Sequence, residues 1–182
     1  GPEEFVMVTS AEAEDSETVV AHILEQGFDS CLQLTGPLAY AHEQRRLTLL
    51  RALCARHGIA HAHAPGTYTI PSGRAAFESV DLALGERPAV IASSDLIALG
   101  ALRAAASHGI EVPRDLGLLS WDASLLAEVT SPGITALSRR PFDMGRSAGD
   151  LLVRLIEGGL AAGGDTVVAP ATLVPRESTA AR

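Results

Sequence analysis

The chain has 182 residues, with 22 acidic against 14 basic side chains and a formal net charge of −8. That surplus argues against this segment holding nucleic acid by itself, since phosphate binding runs on clustered Lys and Arg. The 47% hydrophobic content can enclose a core without staples or metal, and no segment approaches the roughly 20 uninterrupted apolar residues of a membrane helix.

Residues 1–5 resemble a tag-cleavage remnant. An apolar run over residues 5–8 has strand length, and Val19, Val20, Ile23 and Leu24 then recur at helical spacing until Gly27. Residues 31–34 form the next predicted strand. Leu47, Leu50, Leu53 and Cys54 share one face of the following helix, which Gly58 closes at low conformational cost. Residues 59–64 read as a weak strand, and Ser72 can cap a helix through Phe77, Val80 and Leu84. Residues 88–92 are the clearest buried strand. Asp95 can cap the helix behind it, whose Leu96, Leu99 and Leu102 form the predicted sheet-facing side and whose end is His108-Gly109. A strand over 116–119, a short helix near 124–129, a strand over 134–137 and a helix over 142–157 complete the alternation. This pattern predicts an α/β fold, a parallel open sheet with helices on both faces. Ligands of such sheets sit beyond the strand carboxyl ends.

Several motifs are better explained without chemistry. The glycine-rich run at 158–164 follows a helix, so no helix N-terminus aims its amides at a phosphate. His61 and His63 share a strand face, but no nearby Cys, Asp or Glu completes a metal shell, so they read as solvated edge histidines. Cys31 and Cys54 sit in apolar stretches, which suit inert buried thiols and a reducing compartment. Ser93 or Ser94 with Asp122 and a distant histidine could in principle form a triad, but no Gly-x-Ser-x-Gly elbow supports one. No cofactor is expected. What remains is the polar set at predicted strand ends, Ser93-Ser94-Asp95 and Ser120-Trp121-Asp122. An aspartate there can accept two hydroxyl hydrogens and an arginine such as Arg46 can donate several, which suits a polyol, although Arg46 also fits an exposed charge on a polar helix face.

Five motifs in order then resemble the lac/gal repressor family. Ser94-Asp95-Leu96-Ile97-Ala98-Leu99-Gly100 is similar to its Asn-Asp-x-x-Ala-x-Gly segment. Gly109-Ile110-Glu111-Val112-Pro113-Arg114-Asp115 resembles its Gly-Ile-x-Val-Pro-x-Asp turn, and Ser120-Trp121-Asp122 its Gly-Phe-Asp. Met144-Gly145-Arg146-Ser147-Ala148 and Leu173-Val174-Pro175-Arg176-Glu177-Ser178-Thr179 match its Met-Gly-x-x-Ala and Leu-x-x-Arg-x-Ser-Thr. The resemblance is strongest from Pro88 to Thr179 and looser upstream, through 21–27 and the Thr35-Gly36-Pro37 turn leading to Arg46.

The resemblance implies a periplasmic-binding-protein-like core whose two subdomains enclose an effector, here one complete subdomain plus a remnant of the other. Residues 6–137 would form the C-terminal effector subdomain, 138–168 would belong to the N-terminal one, and 169–182 would return. The expected function is the sugar- or polyol-sensing domain of a cytoplasmic transcriptional regulator, touching operator DNA only through an absent headpiece. A transporter's solute-binding protein shares the fold and is the alternative, and an enzyme is the third. By resemblance Arg46 grips ligand hydroxyls, Tyr68 packs on the ligand ring and Asp122 accepts hydroxyl hydrogens. Ser94 occupies the family's usual Asn site, which removes an amide donor and shortens the reach. A homodimer is expected through Ile97, Gly100, Ala101, Ala104 and Ala105. The helix over 142–157, deprived of its usual sheet, is expected to fold back on the rest or pair with a second chain.

Overall fold

The computed structural model describes residues 8–80, 85–157, 166–167 and 169–180. In chain order these give β1 (Val8–Thr9), α1 (Glu12–Glu25), β2 (Ser30–Thr35), α2 (Ala41–His57), β3 (Ala60–Pro65), α3 (Ile70–Glu78) and β4 (Pro88–Ala92). They continue with α4 (Asp95–Ser107), β5 (Gly117–Ser120), α5 (Leu125–Val129), β6 (Thr135–Ser138), α6 (Pro141–Ile156), β7 (Thr166–Val167), β8 (Thr172–Val174) and a 3-10 turn over Glu177–Thr179. Leu84, the glycine-rich run and most of the strand predicted over 5–8 lie outside the described residues.

Six strands form one sheet in the order β3-β2-β4-β5-β6-β8, parallel throughout except for β8, which runs antiparallel to β6. Because side chains alternate across a strand, each central strand feeds two cores. Leu32, Leu34, Val90, Ala92 and Leu118 face α3, α4 and α5, whereas Cys31, Ala89, Ile91 and Leu119 face α1 and α2. The doubly covered sheet predicted from the alternation of periods is therefore present. Gly58 closes α2 at φ 69°, the left-handed conformation that glycine adopts without a Cβ penalty.

Three local expectations are corrected. Thr69, not Ser72, caps α3: its side chain accepts the Ser72 amide, while the Ser72 hydroxyl accepts the Thr67 amide. Ser94, not Asp95, caps α4, its Oγ accepting the Ile97 N–H. The Asp95 carboxylate points sideways and accepts from the Ser120 hydroxyl and the Ser124 amide, pinning α4 to the loop after β5.

The third correction concerns the faces of α4. Ile97, Ala98, Ala101, Ala104 and Ala105 are the buried side, while Leu96 is exposed and Leu99 and Leu102 are half-buried. The reason is a close helix pair. A Cβ on Gly73 would collide with the Ile97 backbone carbonyl, and one on Gly100 with the Ile70 carbonyl. Small residues thus let α3 and α4 approach, and the larger leucines are displaced outward.

A separate two-stranded parallel sheet joins β1 to β7, and α6 lies against β1. Of the two outcomes expected for α6, folding back on the rest of the chain or pairing with a second one, the contact among the described residues is with β1. Of its described side chains only Leu151 is buried, leaving Phe142, Leu152, Val153, Leu155 and Ile156 exposed.

Candidate functional site

A cavity of about 400 Å³ opens at the carboxyl ends of the large sheet, lined by Ser10, Glu12, His42, Arg46, Tyr68, Ser93, Asp122 and Arg139. The topology explains this composition. Tyr68 follows β3, Ser93 follows β4, Asp122 follows β5 and Arg139 follows β6, so each parallel strand delivers its successor to one rim. The turn after β2 leads into α2, which carries His42 and Arg46.

Arg46 is on the buried face of its helix. The residues of α2 that face inward are Glu43, Arg46, Leu50, Leu53 and Cys54, a helical stripe that begins charged and becomes apolar. Arg46 is 3% exposed, so the reading as a solvated charge does not hold. Its Nε lies 3.5 Å from Glu12 Oε1 and its Nη1 3.8 Å from Glu43 Oε1. Its guanidinium carbon sits 5.1 Å from the centre of the Trp121 ring, a cation–π arrangement. Burial, and then the nearby Arg139 cation, push the Arg46 pKa down, against the pull of Glu12 and Glu43. An arginine remains protonated under these conditions.

Glu43 organises the inner wall. One oxygen accepts the Tyr68 hydroxyl at 2.7 Å and the other accepts the Ser93 hydroxyl at 2.7 Å. His42 Nε2 is 2.9 Å from the same Tyr68 oxygen. Burial and the Glu43 hydrogen bond raise the Tyr68 phenol well above its ordinary range, keeping it protonated. Tyr68 packs over Gly36, where a Cβ would collide with its ring. Tyr40 stacks on both neighbours, at 5.7 Å from His42 and 6.3 Å from Tyr68. On the opposite wall Asp122 Oδ1 meets Arg139 Nη2 at 2.5 Å.

Of the four residues singled out by sequence, Arg46, Tyr68 and Asp122 converge on this cavity. Ser94 does not line it; its hydroxyl is committed to the start of α4, and the adjacent Ser93 faces the cavity instead. Sequence reasoning missed Glu12, Glu43 and Arg139. Glu43 and Arg46 are three apart, a spacing that places side chains side by side on a helix. Arg139 follows a strand just as Asp122 does, so the same strand-end argument could have found it.

Among the described residues no group of three or more His, Cys, Asp or Glu could hold a metal ion. His61 lies on the edge strand but is half-buried against Gln33 at 3.3 Å, and burial, then Arg51 and His63, pull its pKa down to about 4. No helix of the described residues is long and apolar enough to cross a membrane.

Residues 20–179 match the family described as periplasmic binding protein-like domain. The transcriptional regulator MalR of Streptomyces coelicolor is 37% identical over 114 residues, which cover 62% of this chain and 32% of that protein. A LacI family transcriptional regulator from Bifidobacterium animalis subsp. lactis superposes with a TM-score of 0.89 at 29% identity, over 97% of this chain and 65% of the other. The transcriptional regulator CelR in complex with cellobiose gives a TM-score of 0.86 at 29% identity, over 97% and 55% of the two chains. The chain therefore spans about a third of that curated relative and under two thirds of the two structures.

Proposed function

From the premise that this chain belongs to the periplasmic-binding-protein-like domain family found in LacI-family transcriptional regulators, we propose that its cleft binds a sugar or related polyol and that binding tunes a cytoplasmic regulator's grip on operator DNA. One observation carries the reading: Arg46, Tyr68 and Asp122 lie far apart in sequence yet line a single cavity at the strand carboxyl ends. Hydroxyl groups both donate and accept, so a wall of carboxylates, guanidiniums and a phenol suits them. CelR, similar in fold over nearly the whole chain, is described in complex with cellobiose. The relatives described above are regulators, which favours this role over that of a transporter's solute-binding protein. Binding without turnover is the proposed activity.

The proposed layout assigns residues 6–137 to one subdomain, 138–168 to a second and 169–182 to a returning segment. Support comes from β7, which pairs away from the large sheet, and from β8, which rejoins it beside β6; β1, although within 6–137, pairs with β7 and so falls with the second subdomain. The dimer surface expected through Ile97, Gly100, Ala101, Ala104 and Ala105 is corrected, because these residues are buried within the chain; the proposed homodimer uses the outer side of α4 instead, where Leu96 is exposed and Leu125, Leu126 and Val129 of α5 form an adjoining apolar surface. An isologous interface of this kind pairs with itself.

Titration of the full-length protein with mono- and disaccharides, read by calorimetry and by operator retention, tests the function. Each charge-assisted hydrogen bond contributes on the order of 1.5–3 kcal/mol, so Asp122→Ala should weaken affinity at least about tenfold. Unchanged affinity in both Asp122→Ala and Tyr68→Ala would remove the cleft assignment.

A further inference from the structure

Two guanidiniums, Arg46 and Arg139, and three carboxylates, Glu12, Glu43 and Asp122, surround the cleft and are paired with one another, and the exposed Arg45 adds a third guanidinium 3.5 Å from Glu12. Arg46 lies between Glu12 and Glu43 at 3.5 and 3.8 Å, and Arg139 holds Asp122 at 2.5 Å. We propose that the cleft selects uncharged, hydroxyl-rich ligands and rejects the carboxylated or phosphorylated forms of the same sugars. This rests on the effector reading above and adds the charge class of the ligand.

Arginine recognises carboxylate or phosphate by presenting a free fork of N–H donors to the anion. Neither guanidinium here is free. The side chains of Arg46, Glu12 and Glu43 are at most 4% exposed. An anion that drew Arg46 to itself would leave the buried Glu43 without its guanidinium and Glu12 with only the exposed Arg45, and an unpaired buried charge is strongly unfavourable. Arg139 is more accessible, but an anion beside it also meets Asp122 at close range. With Arg45 3.5 Å from Glu12, the three carboxylates are matched by three guanidiniums, so no positive charge is left over for an anionic ligand.

The test is calorimetric titration of the full-length protein with glucose, glucuronate and glucose 6-phosphate, and with cellobiose and cellobionate. In any set that binds, the neutral member should bind at least about tenfold more tightly than its anionic counterparts. An acid or phosphate that binds equally well or better overturns the proposal. Asp122→Asn removes one carboxylate with little change of shape and releases Arg139. It should raise the ratio of anion to neutral affinity at least about tenfold, even though both affinities fall. An unchanged ratio in that variant also overturns the charge argument. Silence from every probe, neutral and charged, is a different result: it counts against the effector reading itself, and the selectivity proposal falls with it.

Discussion

Arg139 Nη2 lies 2.5 Å from Asp122 Oδ1, tying the residue that leaves β6 to the loop that leaves β5. The carboxylate expected to receive ligand hydroxyls thus already holds a cation. Arg139 also begins the connection to α6, so the pair links the cavity wall to the chain's exit from the large sheet.

The side chains of this pair are 33% and 37% exposed, so solvent screening limits its worth. A double-mutant cycle of Arg139→Ala and Asp122→Ala, read by urea denaturation, should give a coupling below about 1 kcal/mol. A coupling above about 2 kcal/mol would mean that the pair is far drier than its exposure indicates.

Arg46 should behave differently. Its removal leaves Glu43 buried without its guanidinium and Glu12 with only the exposed Arg45, so Arg46→Ala should cost about 3 kcal/mol of stability. Chemical denaturation of the variant checks this, and a loss under about 1 kcal/mol would contradict the buried arrangement.

Gly100→Ala sets two effects against each other. Alanine in a helix interior normally gains up to about 1 kcal/mol over glycine. Here the new Cβ would strike the Ile70 carbonyl, which is backbone and cannot rotate away. Overpacking of this kind costs about 1–3 kcal/mol, so the collision should win and the variant should melt earlier than the parent. A higher melting temperature would show that α3 and α4 can separate without loss.

Stability should also fall on mild acidification. Burial, followed by Arg51 and His63, lowers the His61 pKa to about 4. The unfolded chain therefore takes up its proton first. The contribution is fully present above the unfolded value of about 6.5 and is lost as pH drops from there toward 4. The slope is at most about 1.4 kcal/mol per pH unit, reduced because the ring is partly exposed. His22 is lowered too, by burial against the pull of Glu25, and acts in the same direction. His61→Gln should flatten the pH profile of stability between about 6.5 and 4; an unaltered profile would clear this residue of the effect.

The two sides of α4 offer a contrast in oligomer state. Leu96→Glu, on the exposed side, should shift sedimentation of the full-length protein toward monomer while leaving the fold intact. Ala101→Glu, on the buried side, should unfold it, since an unpaired charge enters the core. A Leu96→Glu protein that sediments like the parent would exclude this face from the interface.

The sequence by itself determined the layered α/β architecture, because alternation of strand and helix periods depends only on local spacing. It marked β4 to the residue, since five consecutive buried positions leave no ambiguity of face. Asp122 was reached through one of the ordered family motifs, and Arg46 and Tyr68 through the looser upstream resemblance. Only the tertiary structure decided which side of α4 faces inward. Leucines and alanines are both apolar, and the choice turned on how closely Gly73 and Gly100 let two helices approach. Apart from the i, i+3 pair of Glu43 and Arg46, the cleft's charge pairing was likewise invisible along the chain. Glu12 and Arg46, or Asp122 and Arg139, become neighbours through parallel crossovers that bring distant strand ends to one rim, and no local pattern records such a meeting.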